Sequence, residues 1–358
     1  MKPRQLIRVL VIDDSAFSRR TIIRMLEGSP LVEVTDWAPD GQQALAKALS
    51  QPYDLITLDL EMPHMDGFTF LRILMARRPT PVIVVSARSD SEDVFRALEL
   101  GAVDFVAKPT PRAAPELATI EQELLRKVHA VRELRLGRLA ERAAPAPVLQ
   151  PLPRAAQRPH RVVAIGSSTG GPAALLRLFS DFRAPPACAF VVSQHMPAGF
   201  TKSFARRLDA TTAFRAREAE SGMLVEEGVI LVAPGGGHLE FAAAGGAVVA
   251  RITPRLPSER YTPSIDRMFR SAAKHWGSEL LALVLTGMGD DGAAGSADVK
   301  RAGGNVIVES AETAVIFGMP QQAIRAGGVD AVLPLHEIAG VIEPKLGGTG
   351  AQHTRSAE

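Results

Sequence analysis

Short apolar runs alternate with amphipathic stretches through most of the chain. In the first third the runs are Arg8-Val-Leu-Val-Ile12, Val32-Glu-Val-Thr35, Leu55-Ile-Thr-Leu58, Val82-Ile-Val-Val85 and Val103-Asp-Phe-Val106. They are too short for helices and rich in β-branched residues, and helical patterns separate them, so residues 1–128 are predicted to form one doubly wound (βα)5 domain. A helical pattern over 121–142 then meets Pro145, Pro147, Pro151, Pro153 and Pro159. That proline density excludes helix and favours an extended spacer, so 129–159 reads as a helical and Pro-rich linker. Alternation resumes at Arg161 and predicts a second α/β domain over 160–345 with a mainly parallel sheet. The runs beginning at Gly228 and Gly246 are expected to interrupt it as antiparallel strands joined at glycine turns. Residues 346–358 are polar and glycine-rich and read as a disordered tail.

Three runs of the second domain share one layout. Arg161-Val-Val-Ala-Ile-Gly-Ser-Ser-Thr-Gly-Gly171, Phe190-Val-Val-Ser-Gln-His-Met-Pro197 and Leu281-Ala-Leu-Val-Leu-Thr-Gly-Met-Gly-Asp-Asp-Gly292 each stop at a polar cluster, as buried parallel strands do at their carboxyl ends. In open α/β sheets ligands bind outside those ends, which would gather Ser168, His195 and Asp291, the inventory of a nucleophilic hydrolase. Amides around Thr169 and Gly287-Met-Gly289 are candidate oxyanion donors. Other readings stand beside this one. The 166–171 turn also suits a phosphate, although a dinucleotide site calls for an acidic residue where this chain has Ser193-Gln-His195. Asp290 competes with Asp291, His238 competes with His195, and Asp291 is also placed to cap a helix starting near Gly292.

The first domain carries different chemistry at its strand ends. Asp13 and Asp14 follow the first strand, Asp59 the third, Ser86 the fourth and Lys108 the fifth. Three carboxylates make a hard oxygen site suited to Mg2+. Asp59 is the candidate nucleophile toward phosphorus, its repulsion with phosphate relieved by the metal and by Lys108, while Ser86 donates to the new phosphoryl oxygen.

Composition narrows the rest. At 358 residues and 46% hydrophobic content the chain has material for two cores. The net charge is +2, and six Arg against two Glu in 131–160 leave about −2 for the remainder, so nothing in the folded parts points to nucleic acid or a membrane surface. Cys188 is the only cysteine, which excludes an intrachain disulfide. The amino terminus enters a strand directly, without the apolar region of a signal peptide, and no spanning helix is expected; the cytoplasm is the default.

Residues 8–128 resemble the receiver domain of response regulators, a flavodoxin-like fold. Leu58-Asp-Leu-Glu-Met-Pro63, Asp66-Gly67 and Ala107-Lys-Pro109 carry the resemblance. It implies phosphorylation at Asp59, metal ligation by Asp13, Asp14 and Asp59, and a switch comprising Ser86, Phe105 and Lys108. Ser168-Thr-Gly-Gly171, Gln194-His-Met-Pro197, Ala233-Pro-Gly235, Pro263-Ser-Ile-Asp266, Leu285-Thr-Gly-Met-Gly-Asp-Asp-Gly292 and Phe317-Gly-Met-Pro320 resemble the chemotaxis protein-glutamate methylesterases, the CheB family. This implies Ser168 as nucleophile, His195 as base and Asp291 as third member, with Thr169 and Met288 bordering the site. It further implies phosphorylation-activated hydrolysis of glutamate methyl esters and deamidation of glutamines on methyl-accepting chemotaxis receptors, with a histidine kinase as phosphodonor, Mg2+ at the receiver and no cofactor for hydrolysis. The order Ser, His, Asp departs from the Ser, Asp, His of α/β-hydrolases. The alternatives are the same esterase acting on a non-flagellar chemosensory pathway, and a response regulator acting only by binding, which would need neither Ser168 nor His195 at strand ends.

Overall fold

The computed structural model describes residues 6–86, 91–109, 114–131 and 161–347. In the first part β1 (Ile7–Ile12), β2 (Val32–Ala38), β3 (Leu55–Leu58), β4 (Val82–Ser86) and β5 (Asp104–Ala107) form a parallel sheet in the order β2-β1-β3-β4-β5. Every residue of β3, β4 and β5 is buried, as strands covered by helices on both faces require. The covering helices are α1 (Ala16–Glu27), α2 (Gly41–Ser50), α3 (Gly67–Arg77), α4 (Ser91–Glu99) and α5 (Ala114–Ala130). Ser15, Asp40 and Asp66 start the first three by accepting the amides of Ser18, Gln43 and Thr69. The strand order reverses between β1 and β3, so the ligand crevice lies at their carboxyl ends. The helix expected from 121 begins at Ala114; the rest of the helical pattern expected up to 142 and the Pro-rich spacer lie outside the described residues.

The second part is a seven-stranded parallel sheet in the order β14-β13-β12-β6-β7-β9-β8. Its strands are β6 (Val162–Ser167), β7 (Ala189–Gln194), β8 (Arg215–Glu218), β9 (Val229–Val232), β12 (Leu280–Val284), β13 (Asn305–Glu309) and β14 (Ala331–Leu333). Between them run α6 (Gly171–Ser180), α7 (Phe200–Thr211), α8 (Ile265–Trp276), α9 (Ala293–Arg301), α10 (Gly318–Arg325) and α11 (Leu335–Gly347). Among the described strands only β10 (Gly237–Ala244) and β11 (Ala247–Pro254) pair antiparallel. The Val229 run, expected in that antiparallel unit, instead joins the main sheet parallel to β7 and β8. All four of its residues are buried, the mark of a strand covered on both faces. Leu346 and Gly347, assigned to the tail, are still helical in α11. The order reverses around β6, which puts the crevice where Ser168 emerges.

The two parts pack against each other through aromatic side chains. Phe95 of α4 meets Phe204 of α7 at 5.4 Å between ring centroids, and Phe105 of β5 meets Phe200 at 4.7 Å. Val103 and Ala130 cluster with Val315 and Ile316, with Met288 against them, and Glu99 pairs with Arg207 at the rim. Phe105 is 1% exposed, its burial completed by the second part. Among the described residues no helix is long and apolar enough to cross a membrane.

Phe179, Phe182, Phe190 and Phe214 interlock edge-to-face at 5.2–5.8 Å beneath the second sheet. Phe214→Ala is expected to cost about 3–5 kcal/mol in denaturant unfolding of the second domain, by opening a cavity that three fixed rings cannot close.

Candidate active site and phosphoacceptor pocket

Ser168 sits just beyond β6, where its amide donates to Thr286 O at 3.0 Å and its carbonyl accepts from Gly171 N at 2.8 Å. Gly170, in the left-handed region at φ 77°, turns the chain directly into α6. On the other side the loop after β12 closes on the serine: a methyl at Gly287 would lie 2.8 Å from Ser168 Cβ. The β6/β7 register ends at Ser167↔Gln194, and His195 N donates to Ser167 O at 3.0 Å, so Ser168 and His195 leave the sheet side by side. Gln194 braces this pair, accepting from Ser167 Oγ at 2.6 Å and donating to Ser168 O at 2.9 Å.

His195 Nε2 donates to Asp291 Oδ2 at 2.8 Å. Asp291 is 2% exposed, and its carboxylate also accepts from Ile265 N at 2.7 Å, Asp266 N at 2.9 Å and Ser264 Oγ at 3.1 Å, the first turn and N-cap of α8. Burial on its own would raise this carboxyl, but His195 and the helix amides outweigh it and hold Asp291 below the usual carboxylate range. Asp266 returns the arrangement by accepting from Gly292 N and Gly295 N at the start of α9. Asp291 thus accepts amides at the start of α8, which contains Asp266, and Asp266 accepts amides at the start of α9, which follows Asp291. Because an ionised carboxylate only accepts, Nε2 carries the imidazole proton and Nδ1 keeps a free lone pair. Nδ1 is buried and has no hydrogen-bond partner among the described residues. The nitrogens are therefore used in the reverse of the serine-protease triad, in which Nδ1–H faces the aspartate.

The competing residues have other tasks. Asp290 is 61% exposed and accepts from the Tyr261 hydroxyl at 2.8 Å and from Arg260 at 3.4 Å. His238 is fully buried, with Nδ1 accepting from Ser264 N at 3.0 Å and Nε2 donating to Glu259 at 2.8 Å, so neither nitrogen is open. Of the amides named as oxyanion donors, Gly287 N is spent on Ile316 O at 3.0 Å, whereas those of Thr169 and Met288 meet no acceptor among the described residues. A cleft of about 370 Å³ lined by Arg260, Met288, Gly289, Asp290, Gly318, Gln321 and Gln322 opens beside them. Sequence reasoning assigned no task to Gln194, Ser264, Asp266 or Tyr261. The first three lie inside the quoted motifs, but Tyr261 carried no signal.

In the receiver, ligand atoms of Asp13, Asp14 and Asp59 lie within 4.8 Å of one another. Asp13 and Asp59 are buried and Asp14 is exposed. Asp13 holds the turn into α1, accepting from Ser15 N at 2.9 Å and Ser18 Oγ at 2.5 Å. Lys108 Nζ lies 2.5 Å from Asp59 and 3.7 Å from Asp13, and its amide donates to Ser86 O at 2.7 Å. Burial pushes Asp59 up to about 6 against the pull of Lys108, with the Asp13 charge adding to the rise; Asp13 is raised for the same first reason. Crowded hard-oxygen donors that resist ionisation fit a divalent cation such as Mg2+.

Fold and site together define a receiver-type regulatory domain joined to an α/β domain that carries a hydrolase site. The response regulator receiver model matches residues 9–118 and the CheB methylesterase model residues 163–342. The chain belongs to the CheB methylesterase family. A Geobacter sulfurreducens protein-glutamate methylesterase/protein-glutamine glutaminase is 48% identical over 95% of this chain and 98% of its own length. One from Anaeromyxobacter dehalogenans is 50% identical over 93% of each chain. The Thermotoga maritima CheB methylesterase catalytic domain is 41% identical over 52% of this chain and 98% of its own, with a TM-score of 0.49.

The raised Asp59 has a signed consequence for stability. With a folded value of about 6 against an ordinary 3.8, the folded state holds a proton the unfolded state has released, so stability falls as pH rises through that window. Asp59→Asn is expected to raise the thermal midpoint of the receiver at about pH 7.5, the gain fading toward about pH 4 where the wild-type carboxyl is protonated. Differential scanning calorimetry across that range checks it; a gain that grows on acidification would contradict the assignment.

Proposed function

We propose that this chain hydrolyses glutamate methyl esters, and deamidates glutamines, on methyl-accepting chemotaxis receptors, with activity raised by phosphorylation of Asp59. The observation that carries the reading is the buried His195–Asp291 hydrogen bond beside Ser168, with Nδ1 left open. Ser168 Oγ attacks the side-chain carbonyl carbon while Nδ1 of His195 takes its proton, and Asp291 stabilises the imidazolium. The developing oxyanion is held by the amides of Thr169 and Met288. As the intermediate collapses, the C–O bond to methanol, or the C–N bond to ammonia, breaks and the leaving group takes the proton back from His195. Water, activated by the same nitrogen, then frees glutamate from the Ser168 ester. Hydrolysis needs no cofactor in this scheme.

The receiver sits against this site through Phe105, Val103 and Ala130, beside Met288 and the start of α7. In the proposed switch Asp59 accepts a phosphoryl group from a histidine kinase, with Asp13, Asp14 and Asp59 holding Mg2+ and Ser86 and Lys108 holding the phosphoryl oxygens. When bound, the metal neutralises charge between carboxylate and phosphate. The added charge of about −2 redirects Lys108 and repacks Phe105, loosening the aromatic contact. Receptor glutamates are cytoplasmic, which puts the enzyme in that compartment.

Methanol release from methylated receptor membranes tests both halves. Wild type is expected to release methanol faster with a small phosphodonor and Mg2+. Ser168→Ala is expected to lose roughly 10³-fold or more, and Asp59→Ala to keep basal release without the rise. Wild-type rates from Ser168→Ala would sink the catalytic assignment; full activation of Asp59→Ala would sink the switch.

A further inference from the structure

Tyr261 lies flat on the catalytic-site histidine. Its ring is 4.9 Å from that of His195, centroid to centroid, with 8° between the planes. Such parallel, offset contact covers one face of the imidazole and opposes rotation of that ring about its Cβ–Cγ bond, since rotation drives an edge into the covering ring. The π face is also the side of an aromatic ring that attracts positive charge, and His195 becomes positive when it takes the serine proton.

The tyrosine is itself anchored. Its hydroxyl donates to Asp290 Oδ1 at 2.8 Å and accepts from Asp290 N at 3.5 Å. Burial, followed by the hydrogen bond to Asp290, pushes this hydroxyl up to about 12, so it remains a donor at working pH. Gly289 is in the left-handed region at φ 103°, and a methyl there would collide with the Tyr261 hydroxyl, so the phenol rests directly on the backbone of the 287–290 loop. That loop carries the Met288 amide, which meets no acceptor among the described residues. Arg260 stands over the Tyr261 ring at 4.9 Å and reaches Asp290 as well.

We propose that Tyr261 is a positioning residue for the hydrolytic reaction: its ring holds the His195 imidazole with Nδ1 toward Ser168, and its bond to Asp290 ties that orientation to the loop bearing the Met288 amide. The role rests on the assignment of Ser168 and His195 under Proposed function. It also gives the exposed Asp290, adjacent to the buried Asp291, a distinct task. Asp291 orients the imidazole through its edge, and Tyr261 does so through its face.

The test uses the full chain with phosphodonor and Mg2+, comparing Tyr261→Phe, Tyr261→Leu and Ser168→Ala. Tyr261→Phe keeps the ring but loses the tie to Asp290 and is expected to lose about 3-fold in kcat, whereas Tyr261→Leu keeps bulk without a π face and is expected to lose roughly 10-fold in kcat with KM within about 2-fold. The His195 Cε1 proton should be shifted upfield by the overlying ring in wild type and Tyr261→Phe, and lose that shift in Tyr261→Leu. Tyr261→Met repeats the comparison if the leucine variant does not fold. An inactive Ser168→Ala alongside a Tyr261→Leu of wild-type kcat overturns the role of Tyr261 alone. Equal losses in Tyr261→Phe and Tyr261→Leu overturn the role of the ring face. A Ser168→Ala variant at the wild-type rate removes His195 from the chemistry and this role with it.

Discussion

A single buried carboxylate organises the second domain. Asp291 has almost no contact with water, and an ionised group in that position is tolerated only if protein donors replace its hydration. Four donors do so: His195 Nε2, the amides of Ile265 and Asp266, and the Ser264 hydroxyl. They come from the end of β7 and the first turn of α8, while Asp291 itself precedes α9, so satisfying one charge fixes three elements around the crevice. Asp266 closes the figure from α8 back to α9. Its carboxyl is pushed up to about 6 by burial, against the Gly295 amide, with the Asp291 charge adding to the rise. Two acids that accept amides at the starts of α8 and α9 make the junction rigid and electrostatically loaded at once, as a preorganised hydrolytic site requires.

Around that junction the loops close by close backbone approach. Gly287 lets the β12 loop lie against Ser168, and Gly289 lets the same loop lie under Tyr261. The site therefore has a rigid floor, in which Gln194 braces the ends of β6 and β7, and a wall that is contacted by Val103 and Ala130 through Met288 and Ile316. The receiver's own acidic pocket lies at the carboxyl ends of β1 and β3, with Lys108 bridging Asp13 and Asp59 from the end of β5. Phe105, in β5, packs on Phe200 at the start of α7. One short strand thus packs on the other domain through Phe105 and leads directly into Lys108, the partner of Asp59.

Much of this was legible in the chain. Parallel strands buried on both faces read as apolar runs, and the polar clusters at their ends mark the crevice, so Asp13, Asp59, Lys108, Ser168, His195 and Asp291 could all be named without coordinates. The Val229 run was misjudged because its flanking glycines suggest a hairpin, while its partner strands lie distant in sequence. The choice between Asp290 and Asp291 was open to spacing alone, since neighbouring residues differ by which side of the chain they face. Tyr261 left no trace because stacking on His195 depends on the path of the chain between β11 and α8.

What the sequence determined by itself is what local chemistry dictates: strand and helix alternation, the positions of strand ends, and the residue types gathered there. The tertiary structure decided which nitrogen of His195 is open, which aspartate is buried and paired, that His238 is occupied, and that the receiver's Phe105 is completed by Phe200. Each of these turns on burial and on contacts between segments far apart in the chain. Hydrophobic periodicity records how deeply a position is buried, but it does not record against what.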